Sequence, residues 1–138
     1  MANRTRFLFR LLFAIYIMST TILGYNPGTS WRNVFAFAAL KEDGTVAAWG
    51  DTYNGGSGVP SMSGVKTIYS NERAFAALKK DGTVAAWGGY MESGAPSGLS
   101  GVKGIFSAWL AFAALKEDGT VQAWGDSRYG GSGVPEGL

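Results

Sequence analysis

Phe-Ala-Ala-Leu-Lys-Lys-Asp-Gly-Thr-Val-Ala-Ala-Trp-Gly, residues 75–88, decides the fold of this 138-residue chain. Nearly the same stretch occurs at 37–50 and at 112–125, and the copies are spaced by 38 and 37 residues. The second arm of each copy opens with two β-branched residues and closes on a large aromatic one, as strands often do. Asp-Gly lies between the arms and favours a tight hairpin turn, because both residues tolerate positive φ. The stretch therefore predicts three β-hairpins.

A connection rich in glycine and ending in proline follows each hairpin, as in Gly55-Gly56-Ser57-Gly58-Val59-Pro60. After the first two connections comes a short apolar run, 64–69 or 101–106, which predicts a third strand. We expect this strand to complete the hairpin before it, so that the last hairpin, followed only by Pro135 and three more residues, lacks one. A repeat of 37–38 residues with short strands is typical of a propeller blade or a β-solenoid coil.

The order of these motifs resembles a known family. Ala-Leu-Lys-x-Asp-Gly-x-Val-x-Ala-Trp-Gly, a glycine-rich turn, Val-Pro and Gly-Val-x-x-Ile are similar to the regulator of chromosome condensation repeat superfamily. The short blades resemble the bacterial form found in β-lactamase inhibitory protein II, over about residues 31–138. The resemblance implies a β-propeller, usually seven-bladed, that binds other proteins with one rim. We therefore expect an all-β chain, a partial β-propeller of about three short blades preceded by an N-terminal hydrophobic helix.

Residues 1–24 differ in composition from the repeats. Arg4, Arg6 and Arg10 precede an apolar run and several small residues, a pattern typical of a secretory signal peptide. One alternative is an uncleaved signal anchor that crosses a membrane with residues 7–23, which is close to the minimum length for a span. Another is a buried helix of a soluble domain. For a signal peptide or an anchor, the arginines keep the N-terminus inside the cell. The repeats are then secreted or periplasmic, or membrane-anchored outside the cytoplasm.

The remainder divides into a predicted linker at 25–30 and the repeats at 31–138. Three of the 12 basic residues lie in the first 24 positions, so nine basic residues face 10 acidic ones in the remainder. This near-neutral domain lacks the basic surface of a nucleic-acid binder, and no nucleic-acid partner is expected.

Several chemistries lack the residues they need. The chain has no cysteine and no histidine, which removes disulfides, thiolate metal sites and the commonest general base. Gly-Gly-Ser-Gly at 55–58 and 130–133 is not a phosphate loop, because no Lys-Ser or Lys-Thr follows it directly. Each Asp-Gly turn offers too few oxygen ligands for calcium. We expect no catalysis, no cofactor and no metal.

The two ends of the hairpins differ in how much they vary. The Asp-Gly end is nearly constant among the copies, whereas the residues before the first arm and after the second differ. Repeat proteins keep packing positions and let one rim diverge, so this variable rim is the predicted partner-binding surface. The alternative is ordinary loop variation. The predicted binding residues, mostly of types enriched at binding hot spots, are Tyr53, Asn54, Glu72, Arg73, Tyr90, Glu92, Trp109, Arg128 and Tyr129.

The repeated tryptophans have a structural explanation. Trp49, Trp87 and Trp124 stand at the same position of every copy, each followed by glycine. Strict repetition favours packing against the neighbouring blade, with the glycine permitting close approach, over stacking on a ligand.

The function predicted from these observations is a non-catalytic protein-binding repeat module, exported or membrane-tethered. One alternative is a lectin-like carbohydrate-binding module, and another is a structural accessory subunit anchored in a membrane complex. Because three blades do not close a ring, we also expect self-association or docking to a larger assembly.

Overall fold

A computed structural model describes residues 32–89 and 94–137. Three antiparallel sheets follow one another, and neighbouring strands in each sheet are consecutive in the chain. Within the described residues the only helical elements are 3-10 turns at Thr52–Asn54 and Ser127–Tyr129, so the all-β prediction is confirmed there. Sheet 1 contains β1 (Ala36–Leu40) and β2 (Val46–Gly50), sheet 2 contains β3 (Val65–Ser70), β4 (Ala74–Lys79) and β5 (Val84–Gly88), and sheet 3 contains β6 (Val102–Ser107), β7 (Ala111–Lys116) and β8 (Val121–Gly125).

The expected N-terminal helix, the leader at 1–24 and the linker at 25–30 lie outside the described residues. In the part of the chain that is described, no helix is long and apolar enough to cross a membrane.

Each hairpin turn is a three-residue loop. In sheet 2, Lys79 N donates to Thr83 O at 2.9 Å and Gly82 N donates to Lys79 O at 3.0 Å. Asp81 Oδ1 accepts from the amide and the hydroxyl of Thr83, at 2.9 and 2.6 Å. Gly82 has φ +80°, and no other residue type in the described chain has positive φ. The loop is thus a type I turn closed by a left-handed glycine, rather than a turn in which both Asp and Gly adopt positive φ.

The strand between two hairpins pairs with the later one. Ser70 in β3 lies opposite Phe75 in β4, and β3 makes no pairing with β2. The expectation that this strand completes the hairpin before it is wrong, and the last hairpin does have a third strand, β6. The reason is connection length: only residues 71–73 separate β3 from β4, whereas residues 51–64 separate it from β2.

Successive sheets pack face to face. One face of each hairpin carries its Phe and Trp and is named the leading face; the other carries the alternating Ala-x-Ala-x-Leu residues and is named the trailing face. Ala74, Ala76 and Leu78 on the trailing face of sheet 2 share a core with Phe112 and Trp124 of sheet 3. The trailing face of sheet 1 shares a second core with the leading face of sheet 2. Small alanines facing large aromatics let the sheets approach closely.

Backbone hydrogen bonds at the Asp-Gly end link the sheets as well. Val65 N, at the start of β3, donates to the carbonyl oxygen of Gly44 at 3.0 Å. Val102 N, at the start of β6, donates to Gly82 O at the same distance. The constant turn sequence therefore contributes to packing between repeats as well as to its own hairpin.

Candidate partner-binding rim

The variable rim forms where each hairpin begins and ends. Asp51 N, just after β2, donates to Phe35 O, just before β1, at 3.0 Å. Asn33 Nδ2 donates to Asn54 O at 2.6 Å. In sheet 3, Asp126 N donates to Leu110 O at 2.9 Å. The residues entering and leaving each of these hairpins therefore lie side by side at the end opposite the Asp-Gly turn.

An aspartate shapes the loop that leaves the first hairpin. Asp51 Oδ1 accepts from the amide of Asn54 at 3.0 Å and from its Nδ2 at 2.6 Å, which caps a 3-10 turn. Gly55, with φ +95°, ends the turn. This arrangement holds Tyr53 outward, with 74% of its surface exposed.

The third hairpin repeats this loop with a charged cluster. Asp126 caps the turn, and Arg128 Nε donates to its Oδ1 at 3.0 Å. The hydrogen bonds from the Arg128 side chain and amide lower the pKa of Asp126 below its ordinary value. Arg128 also lies 5.7 Å from the centre of the Tyr129 ring, and Trp109 meets that ring edge-on at 4.9 Å. Four side chains from both loops of the hairpin thus form one surface cluster.

The structure separates the predicted rim residues into groups. Tyr53, Arg73, Trp109 and Arg128 are exposed, and Tyr129 is half-buried beneath Arg128. Asn54 has a structural role, because its side chain and backbone bond within the rim. Tyr90 and Glu92 lie outside the described residues.

Glu72 connects two sheets instead of facing outward. Its amide donates to Trp109 O at 3.2 Å, and its side chain is half-buried. Arg73 Nε lies 4.0 Å from Glu72 Oε1, which is the limit of an ion pair. Glu72 therefore brings the entering loops of sheets 2 and 3 together.

Comparison with known proteins shows which solved structures have a similar fold. No protein-family model and no curated protein matches the chain. Yeast RCC1 (Prp20), in a crystal structure with Kap60, is similar with a TM-score of 0.51 and 24% identity over 66% of this chain. The entire ectodomain of the receptor kinase CR4 from Physcomitrella patens is similar with a TM-score of 0.51 and 21% identity over 68%. The chain has the RCC1-like repeat fold. It spans 28% of the length of each of these two structures.

The RCC1-like resemblance predicted from the sequence is thus confirmed at the level of the fold.

The packing predicted for the repeated tryptophans holds for Trp87 and Trp124, which are buried. Trp49 instead is 46% exposed. Gly88 approaches the preceding repeat, since an added Cβ would meet Gly55 Cα at 2.7 Å. The close neighbours of Gly50 and Gly125 belong instead to the first arms of their own hairpins.

Sequence reasoning did not select two exposed residues of the variable rim. Val34 and Phe35 precede the first hairpin and are both exposed, Val34 by 72%. Phe35 occupies the position of Arg73 and Leu110 in the other repeats. The available signal was an apolar residue at positions that differ in every repeat.

The second repeat differs from the others at the rim. Its leaving loop, from Gly89 to Pro96, is two residues shorter than the loop from Asp51 to Pro60 and lacks the capping aspartate. Within the described chain, Asn71 Nδ2, Glu72 Oε2 and Trp124 Nε1 are buried without a hydrogen-bond partner. The equivalent donors around the loop that leaves sheet 1 are satisfied. Asn33 Nδ2, equivalent to Asn71 Nδ2, bonds to the carbonyl oxygen of Asn54. Trp87 Nε1, equivalent to Trp124 Nε1, bonds to that of Gly55.

The sequence contains two Ser-x-x-Lys stretches, so the expectation of no catalysis cannot rest on their absence. Ser63 precedes Lys66, and Ser100 precedes Lys103, with the spacing of some serine–lysine catalytic pairs. On a helix, residues three apart lie side by side, which is what this spacing requires. Both lysines instead lie in strands, and a left-handed glycine, Gly64 or Gly101, separates each lysine from its serine. The helical arrangement is therefore not formed. Over the described ranges no group of three or more acidic residues could hold a metal ion.

Proposed function

We propose that this chain is a non-catalytic protein-binding module that contacts a partner protein through its variable rim. One observation carries the proposal. Seven large hydrophobic side chains are exposed in the described chain, and four of them lie on the rim: Val34, Phe35, Tyr53 and Trp109. Exposed aromatic groups beside arginine are typical of binding hot spots.

The opposite end of the repeats supports the same assignment by contrast. Within the described residues, none of the seven exposed large hydrophobic side chains lies at the Asp-Gly turns. Those turns present charged residues such as Lys80 and Glu117. Isolated surface charges contribute little to affinity, whereas aromatic residues are enriched at interfaces. The rim is therefore better suited to bind a partner than the Asp-Gly end.

The similar structures agree with this proposal. Yeast RCC1, a protein with this fold, was crystallised bound to another protein, Kap60. We further propose that the three sheets are blades of an incomplete β-propeller.

We also propose that the repeats act outside the cytoplasm, secreted or membrane-anchored. The basic, then apolar, composition of residues 1–24 supports export. The structure of CR4 is that of an ectodomain, which shows that the fold occurs in a receptor's extracellular part.

Site-specific photo-crosslinking tests the rim directly. A benzophenone amino acid replaces Tyr53 or Trp109 in the full chain, expressed in the host that naturally produces it. Matched controls carry the same group at Lys80 or Glu117, which are exposed at the Asp-Gly end. We expect one protein adduct, of the same mass shift, from both rim positions and not from the controls.

Adducts from Lys80 or Glu117 alone would contradict the proposal. Absence of any protein adduct, together with retention of the chain on a glycan surface, would support the lectin-like alternative instead.

A further inference from the structure

The first Phe–Trp pair differs from the other two in its surroundings. Phe37 and Trp49 stack with ring centres 5.6 Å apart, like the pairs in sheets 2 and 3. Their exposed fractions are 47% and 46%, however, whereas Phe75, Trp87, Phe112 and Trp124 are all at most 5% exposed. The leading face of sheet 1 is therefore an apolar surface that no described residue covers.

The contact that such a pair makes inside the chain is specific. Phe75 lies so close to Gly55 that an added Cβ would meet Phe75 Cδ2 at 2.7 Å. Trp87 Nε1 donates to the carbonyl oxygen of Gly55 at 3.1 Å. The Phe–Trp pair of sheet 2 thus packs on the glycine that ends the 3-10 turn of the preceding repeat.

The third repeat presents the same glycine uncovered. The loop at 126–133 has the length of the loop at 51–58, the same capping aspartate and the same Gly-Gly pair. Gly130 has φ +92°, close to the +95° of Gly55. Within the described chain, no atom lies within 4 Å of the position of a Cβ on Gly130.

The trailing side of sheet 3 is open elsewhere too. Phe106 is 48% exposed. Its counterpart Tyr69 packs against the core between sheets 2 and 3, where burial raises the pKa of its hydroxyl. Gly119 likewise has no described atom near its Cβ position, although Gly44 and Gly82 each lie against the first strand of the next sheet.

We propose that the leading face of sheet 1 binds the trailing face of sheet 3 in a second copy of this chain. Phe37 then covers Gly130 of the second copy, and Trp49 Nε1 donates a hydrogen bond to the carbonyl oxygen of that Gly130. The contact continues the packing of sheet on sheet that the chain forms twice within itself, and the Trp–Gly hydrogen bond that it forms between sheets 1 and 2. The contact adjoins the variable rim at Gly130, but it is inferred from the packing between sheets and so stands independently of the proposed function.

The two surfaces differ, so the association is head-to-tail, and such contacts form rings when the rotation closes. Two copies bring six described sheets together, and propellers generally contain about 4 to 8 blades.

Two variants that each block one face test the proposal. Trp49→Lys places a charge on the leading face, and Phe106→Lys places one on the trailing face. The full chain in a mild non-ionic detergent is followed by sedimentation velocity over a wide concentration range. We expect the native chain to associate and each variant alone to remain monomeric. An equal mixture of the two variants is expected to form a 1:1 dimer, because each retains the face that the other lacks.

A variant that fails to fold would also fail to associate, so a gentler change is needed beside these. Gly130→Ala adds one methyl group where no described atom lies nearby. We expect it to keep the folded circular dichroism spectrum and to weaken association about tenfold or more, because the methyl group would meet Phe37 of the partner.

Three results would overturn the proposal. The native chain could remain monomeric at every concentration. Phe106→Lys alone could still dimerise, which would mean that two leading faces pair with each other. Gly130→Ala could associate as strongly as the native chain.

Discussion

Trp87 Nε1 donates a hydrogen bond of 3.1 Å to the carbonyl oxygen of Gly55, which belongs to the preceding repeat. The indole is 3% exposed and stacks on Phe75 at 5.3 Å. One residue therefore joins the packing of its own hairpin to the packing between sheets. Trp49 stacks on Phe37 in its own hairpin in the same way, but it is exposed and no described sheet packs on it.

Replacing Trp87 and Trp49 by phenylalanine separates these two roles. Trp87→Phe leaves the buried Gly55 carbonyl without its donor, which costs about 1–3 kcal/mol of the free energy of unfolding. Trp49→Phe is expected to change it by about 0.5 kcal/mol or less, as for other exposed positions. Urea denaturation at low protein concentration measures both. Equal losses for the two variants would contradict the structural difference between them.

Gly55 and Gly130 form a second matched pair. Alanine at either position adopts a left-handed backbone, at a cost of about 1–2 kcal/mol. Only at Gly55 would the new methyl group also overlap Phe75, which adds about 1–3 kcal/mol of overpacking. We expect Gly55→Ala to unfold at a clearly lower urea concentration than Gly130→Ala. If the two variants unfolded together, the packing of Phe75 on Gly55 would be wrong.

The hairpin turns predict a dependence of stability on pH. The Thr83 hydroxyl, and then its amide, lower the pKa of Asp81 below the ordinary value, and Asp43 and Asp118 behave alike. Because the folded chain holds the ionised carboxylate, this stabilisation is complete above the ordinary carboxyl pKa of about 3.9 and is lost as the pH falls through the lowered pKa. Denaturation midpoints should therefore fall on acidification below about pH 4.

A triple threonine-to-valine variant is the control for this pH effect. Valine removes the hydroxyl donor and keeps the amide donor, so the pKa of each aspartate is expected to rise toward its ordinary value. The acid-induced loss of stability should then be smaller than in the native chain. An unchanged pH profile would show that these hydroxyl bonds do not stabilise the turns. The three positions are Thr45, Thr83 and Thr120.

The sequence predicted the hairpins because the Asp-Gly-Thr turn is a local device. Asp81 bonds to a residue only two positions away, so no distant contact is needed to form it. The partner of β3 was predicted wrongly, because apolar composition alone does not say which hairpin a strand joins. The three-residue connection from Asn71 to Arg73 was the better guide, since so short a link keeps two strands adjacent.

The rim was predictable as a region but not residue by residue. Asn54 and Glu72 have polar side chains that suit binding, yet the structure uses Asn54 in a cap and Glu72 in a contact with Trp109. Whether a polar group faces solvent or its own backbone depends on loop geometry that composition does not specify. The exposure of Phe37 and Trp49 was equally hidden, because their sequence is the same as that of the buried copies.

The affinity of the crosslinked partner for rim variants tests the central claim most directly. Tyr53→Ala and Trp109→Ala remove exposed aromatic groups, and we expect each to raise the dissociation constant at least about tenfold, which corresponds to about 1.4 kcal/mol. The controls Lys80→Ala and Glu117→Ala should leave it unchanged within about twofold. Titration calorimetry with purified partner gives all four values. If the controls weakened binding as much as the rim variants, or the rim variants bound normally, the assignment of the rim as the binding surface would be contradicted.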